Sequence, residues 1–135
     1  PTRRSSDLDY IWDGIKRDRL VWIRDLHPEV MTVNTVFGYN EVIPKSLDLI
    51  RDSTPLPQWM TMCTYSLWWI LIQRDWYLYQ GNLDYLKEQK GHLCDLLQLI
   101  MTRIGEDGLE KFNDNEGRFL DWPSCENPLY TKSFH

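Results

Sequence analysis

The sequence predicts an all-α chain built from αα-hairpins, and three observations predict it. Residues 61–79 carry apolar side chains almost all round a helical wheel, the pattern of an interior helix. Residues 83–104 carry them mainly on one side. Gly81-Asn82 separates the two stretches, a helix terminator followed by an N-cap residue. A buried helix joined to an amphipathic one by so short a turn is an αα-hairpin. Stacked hairpins with buried inner helices and half-wet outer ones make helical toroids. No repeat of fixed period runs through the chain, which disfavours a short-repeat solenoid.

Residues 1–27 are polar and irregular. His27-Pro28-Glu29 then reads as a helix start, with proline at the first helical position and Glu29 at the positive end of the dipole. This helix is expected to reach Phe37 and stop at Gly38, although Val30, Thr32, Val33, Thr35 and Val36 are β-branched and favour a strand locally. Asn40 to Asp52 is a second helix, with Ile43, Leu47 and Ile50 on one face and Pro44 in its first turn. Ser53 to Pro57 is a loop.

The third helix, Thr61 to Tyr79, places Tyr65, Trp68, Ile72, Trp76 and Tyr79 along one stripe, with Leu67, Trp69, Ile70, Leu71 and Leu78 covering much of the rest. The fourth, Leu83 to Ile104, sets Leu86, Leu93, Leu97, Ile100 and Ile104 on one face, with Lys87, Glu88, Lys90, Gln98 and Arg103 on the other. Gly91 costs about 1 kcal/mol there relative to alanine. Residues 105–127 are rich in Gly and Asn and predict turns or a short hairpin, and 128–135 is a tail.

The 135 residues predict one domain, which buries roughly 65–70% of its unfolded surface. Net charge is −5 and no basic block occurs, which argues against nucleic acid and anionic membranes as partners. The longest apolar run, Leu67 to Ile72, falls far short of the ~20 residues of a membrane span. The start Pro1-Thr2-Arg3-Arg4 has neither an initiator Met nor an apolar signal core, and reads as cut from something longer. Cys63, Cys94 and Cys125 are widely spaced, which predicts free thiols and no zinc site. His27, His92 and His135 are scattered, and His92 reads as a surface or rim residue. No metal ligand set or cofactor motif is evident. The seven Trp and seven Tyr are mostly accounted for by a helical core, which leaves Trp12, Trp22 and Trp122, among charges or on loops, as functional candidates.

The richest chemistry lies in Asp13 to Asp25, which holds three aspartates, three arginines and one tryptophan. Carboxylates and guanidinium groups hydrogen-bond hydroxyls, and an indole face covers the apolar C–H face of a pyranose. Asp13, Asp18 and Asp25 converge only if the segment curls as a loop. Otherwise Asp25 caps the following helix, and Arg17, Arg19 and Arg24 pair with the aspartates on the surface.

The string Asp13-Gly14-Ile15-Lys16-Arg17-Asp18-Arg19-Leu20-Val21-Trp22-Ile23-Arg24-Asp25 resembles the signature of the α-L-rhamnosidases, glycoside hydrolase family 78. That signature runs Asp, four residues, an acidic residue, then Arg-Leu-x-Trp-x-Gly-Asp. The resemblance extends to Tyr65-Ser66-Leu67-Trp68-Trp69 and to Phe119-Leu120-Asp121-Trp122-Pro123-Ser124. It implies part of an (α/α)6 toroid that hydrolyses terminal α-L-rhamnosides with inversion, so that a rhamnose-containing glycoside is the partner. It implies Asp18 as general acid, Asp13 and Asp25 as sugar ligands, Trp22 as stacking platform, and Arg17 or Arg19 holding the carboxyls. Asp121 and Trp122 would line the same pocket.

The chain departs from the signature at three points. Asp18 stands where many members have Glu, Arg24 stands where the pattern has Gly, and no Glu has the context of the family's general base. An inverting pair needs two carboxyls ~6.5–9.5 Å apart, so the chain alone is expected to be inactive. Two hairpins are roughly a third of the ring, so faces such as those of Trp69 and Leu71 are expected to lack neighbours and to drive oligomerisation or domain swapping. A non-catalytic carbohydrate-binding relative and a helical interaction domain are the competing readings.

Overall fold

The computed structural model describes residues 9–14 and 16–117. It is all-helical: α1 spans Ile23–Val36, α2 Val42–Ser53, α3 Cys63–Gln80 and α4 Leu83–Met101, followed by a 3-10 turn at Asp114–Glu116. Among the described residues the only β pairing consists of two isolated bridges, Asp13 with Leu20 and Ile104 with Glu110. No described helix is long and apolar enough to cross a membrane.

Helix α1 starts five residues before Pro28 rather than at it. Trp22, in extended conformation, is the N-cap, and Leu26 N–H donates to the Trp22 carbonyl at 2.8 Å. Pro28 lies inside the helix and cannot donate. Burial offsets that loss, because Ile23, Leu26 and Val30 are almost completely removed from water. The same burial overrides the β-branched run, and Thr32 and Thr35 turn their hydroxyls back to the Pro28 and Met31 carbonyls. The stretch 23–27, expected as loop, is therefore helical.

Helix α2 begins at Val42, with Pro44 in its first turn as expected. Helix α3 ends at Gly81 in the left-handed conformation (φ +64°). Asn82 caps α4 by accepting from Tyr85 N–H at 3.0 Å, as the sequence predicts. Helix α4 stops at Met101 rather than Ile104, because Ile104 leaves the helix to bridge Glu110.

Packing sets the helix directions. Trp22 meets Tyr65, His27 meets Trp68 and Asn34 meets Gln80, so α1 and α3 run the same way. Tyr85 bonds to Asp48 and Arg51 to Gln89, so α2 and α4 also run together. Val21 and Ile23 share a small hollow with Ile50 and Thr54, which places the end of α2 beside the start of α1. One end of the molecule thus collects the starts of α1 and α3 and the connections 10–22, 54–62 and 102–117. Among the described residues, the shorter connections 37–41 and 81–82 close the other end.

The core lies between these two layers, around Leu26, Leu47, Trp69, Ile72, Trp76 and Leu96. Trp69, expected to lack neighbours, is wholly buried, and its indole N–H donates to the Leu47 carbonyl at 3.1 Å. Helix α3 is not interior all round, since Leu67, Leu71 and Leu78 are exposed, Leu78 to 62%. The core face of α4 also differs from the expected one. Tyr85, Gln89 and Leu96 are buried, while Leu97 and Ile104 are exposed. Gln89 and Tyr85 turn inward because Asp48 accepts from both, at 3.0 and 3.1 Å. Cys63 and Cys94 are free thiols, one buried and one exposed; Cys125 lies outside the described residues.

Candidate functional site

The acidic segment curls. Asp13 N–H donates to the Leu20 carbonyl at 2.9 Å, and the Gly14 carbonyl accepts from Arg17 and Arg19 N–H inside the loop. Gly14 has φ +59°, and a Cβ there would lie 3.2 Å from the Asp18 backbone nitrogen. Glycine is thus favoured by both conformation and space. Arg19 also takes a left-handed φ of +53° and is exposed. Asp13 accepts from the Gly14 N–H at 2.7 Å.

Asp18 is half-buried and faces Arg17. The guanidinium donates through Nε and a terminal nitrogen to the two carboxylate oxygens, both at 2.9 Å. Both oxygens of the motif's candidate acid are therefore engaged in this structure. Arg17 itself stands 81% in solvent, so the pair adds little to stability.

Asp25 occupies the first turn of α1 but is not its N-cap, since Trp22 holds that position without a side-chain cap bond. Burial raises the Asp25 carboxyl above the usual range, and the charge of Asp13 adds to this, while Arg24 and the residue's own backbone N–H oppose. Arg24 lies within α1 in ordinary helical conformation, so no left-handed φ is asked of it.

Glu29, one helical turn beyond Asp25, completes the group. Burial, then the charges of Asp13 and Asp25, push its carboxyl up to about 7. Sequence reasoning missed Glu29 because it placed the helix start at Pro28, which hid the i, i+4 relation to Asp25. A helix drawn from Ile23 makes that relation visible. The structure thus brings Asp13, Asp25 and Glu29 into mutual electrostatic range, beside the Arg17–Asp18 pair.

The aromatic groups divide. Trp22 packs edge-on against Tyr65, with ring centroids 6.3 Å apart, and is half-buried against the core. Trp12 is more open, and leans on Tyr10 at 5.4 Å. Asp121 and Trp122 lie outside the described residues. The last described residue before them, Gly117, is tied to the start of α3, where its carbonyl accepts from the Cys63 thiol at 3.5 Å. Burial raises that thiol to about 11, so Cys63 is no nucleophile at neutral pH.

Glu116, by contrast, is matched by donors, whereas Asn34 Nδ2, Gln73 Oε1, Trp76 Nε1 and His92 Nε2 are buried without a hydrogen-bond partner among the described residues. Glu116 accepts from Trp59 and Arg103 at 3.1 and 2.9 Å. Burial opposes ionisation there, but these bonds and one from Asn113 N–H hold its carboxyl below the usual range. A hollow of about 660 Å3 lies between α2 and α4, bordered by Asp48, Arg51, Asp52 and His92 and by none of the predicted site residues. His92 is half-buried, and burial lowers its pKa. Among the described residues no group of three or more His, Cys, Asp or Glu is placed to hold a metal ion.

No protein-family model matches the chain, and neither curated proteins nor solved structures match it.

Proposed function

We propose that this chain carries the acid-bearing part of a carbohydrate-acting site similar to that of inverting α-L-rhamnosidases. The observation that carries the reading is the gathering of Asp13, Asp25 and Glu29 on the loop and first turns of α1. One of these carboxyls keeps its proton near neutral pH. A glycosidase acid needs that state, and burial with like-charged neighbours produces it. Trp12 precedes Asp13 in the chain, and Trp22 is the N-cap of the helix that carries Asp25 and Glu29. The helix directions support the finer fold reading, because successive hairpins of a toroid keep alternate helices parallel, as α1 with α3 and α2 with α4 are here.

Two carboxyls compete for the acid role. Asp18 has the motif position, whereas Glu29 has the environment of a proton donor. The bidentate Arg17–Asp18 pair, with the lack of a matching base glutamate, favours a second reading in which the site binds a rhamnoside without cleaving it.

The test is titration of the chain with L-rhamnose up to hundreds of millimolar, followed by NMR or indole fluorescence. Saturable binding that weakens in Asp13→Asn and Asp25→Asn is the expected result. Absence of binding, or binding untouched by both substitutions, removes the reading. Incubation with an aryl α-L-rhamnoside should release no phenol from the chain alone. Release of phenol by the chain would overturn that expectation, and its survival in Glu29→Gln with loss in Asp18→Asn would then return the acid role to Asp18.

A further inference from the structure

We propose that the outer face of α4 docks an amphipathic α-helix whose apolar stripe is flanked by aspartate or glutamate. Leu83, Leu86, Lys90, Leu93 and Leu97 recur at alternating spacings of three and four, the seam that one helix offers another. Leu93 borders the core beside Tyr85, Gln89 and Leu96, while Leu83, Lys90 and Leu97 turn to solvent. Leu83, Leu97 and Met101 are about half exposed or more, and Leu71 and Leu78 of α3 add further exposed apolar surface. A row of exposed apolar side chains along one helix is the surface that a partner helix covers.

The groove along this face measures about 290 Å3 and is lined by Leu83, Leu86, Lys87, Lys90, Leu93 and Cys94. Its only charged lining groups are two lysines, on a chain whose net charge is −5. Lys87 is held by Asp84 at 3.1 Å, but both are exposed, so the pair exchanges partners at little cost. A partner carboxylate beside the stripe would meet both ammonium groups.

A second copy fits this chemistry poorly. The acids of α4 itself, Asp84, Glu88 and Asp95, do not line the groove. A symmetric α4–α4 pair would set the two lysines of one groove against the two lysines of the other. The inference is independent of any sugar site at the loop end.

The experiment uses the 135-residue chain and two dye-labelled synthetic helical peptides of about 20 residues, long enough to span α4. Both carry Leu and Ile at heptad seam positions. One has Glu at the flanking positions, the other Lys. We expect the Glu peptide to bind at least ~10-fold tighter in fluorescence anisotropy, with affinity falling as salt rises. The double variant K87E/K90E should invert the preference, with circular dichroism reporting whether its helix content is kept. Leu97→Ser, at an exposed site, should weaken the Glu peptide in either case. Equal binding of the two peptides to the unmodified chain, or no binding of either, overturns the proposal without any variant. It is also overturned if sedimentation shows a dimer that Leu97→Ser dissociates, because the face then belongs to a second copy.

Discussion

Asp48 and Asp52 at the α2–α4 seam differ from Asp25 and Glu29 at the start of α1 in what surrounds them. At the seam, Asp48 accepts from Arg51, Tyr85 and Gln89. The hydrogen bond from Arg51 holds Asp52 below the usual range. At the loop end, burial and neighbouring acids push Asp25 and Glu29 upward, and Arg24 only partly opposes at Asp25. A carboxylate therefore ties two helices together in one place and, at Glu29, holds its proton more tightly in another. Matched carboxylates belong to the scaffold, whereas carboxylates gathered against one another are available for chemistry.

Four perturbations test this contrast. Asp48→Ala should destabilise the fold most, by about 3 kcal/mol in denaturant unfolding, because it strips the shared acceptor from three donors. A loss below about 0.5 kcal/mol would show that the seam network is not structural.

Glu29→Gln should act in the opposite direction. The folded-state carboxyl keeps its proton up to about 7, while the unfolded chain releases it near 4.5. Folding therefore takes up a proton between these values, and stability falls as pH rises across that window. After allowance for solvent screening the loss is about 1–2 kcal/mol. The glutamine variant should thus be more stable by about that amount at pH 8 and equal to the parent at pH 4. Unfolding curves whose difference does not change with pH would contradict the charged group described here.

Asp13→Asn should lower the Glu29 midpoint from about 7, as NMR titration of the side-chain carbon can record, and should move Asp25 in the same direction. An unmoved midpoint would place Asp13 outside the group. The smallest effect is expected from Arg17→Ala. It should leave the melting temperature unchanged, because the guanidinium is mostly in solvent, while freeing both Asp18 oxygens.

The fold was legible where backbone chemistry is local. Gly81 and Asn82 announced the turn, and Pro44 marked the first turn of α2, because a left-handed cap and a missing donor constrain their own residues whatever lies around them. The start of α1 was not legible. Pro28 is a strong local signal, and burial of Ile23 and Leu26 outweighs it only when α3 is present. The core face of α4 was misread for a related reason. Hydropathy ranks Leu97 above Gln89, but Gln89 finds Asp48 and Arg51 on α2, and no pattern within α4 contains that information. Glu29 escaped notice as a consequence of the helix boundary, not of its own residue type.

Sequence alone determined the helical class, the third and fourth helices with the turn between them, and the concentration of acids near the amino end. Each depends on periodicity or on the preferences of single residues. Tertiary structure decided which way the helices run, which α4 side chains turn inward, and which carboxyls share a space. These depend on the free energy of removing particular groups from water together, which no residue carries by itself.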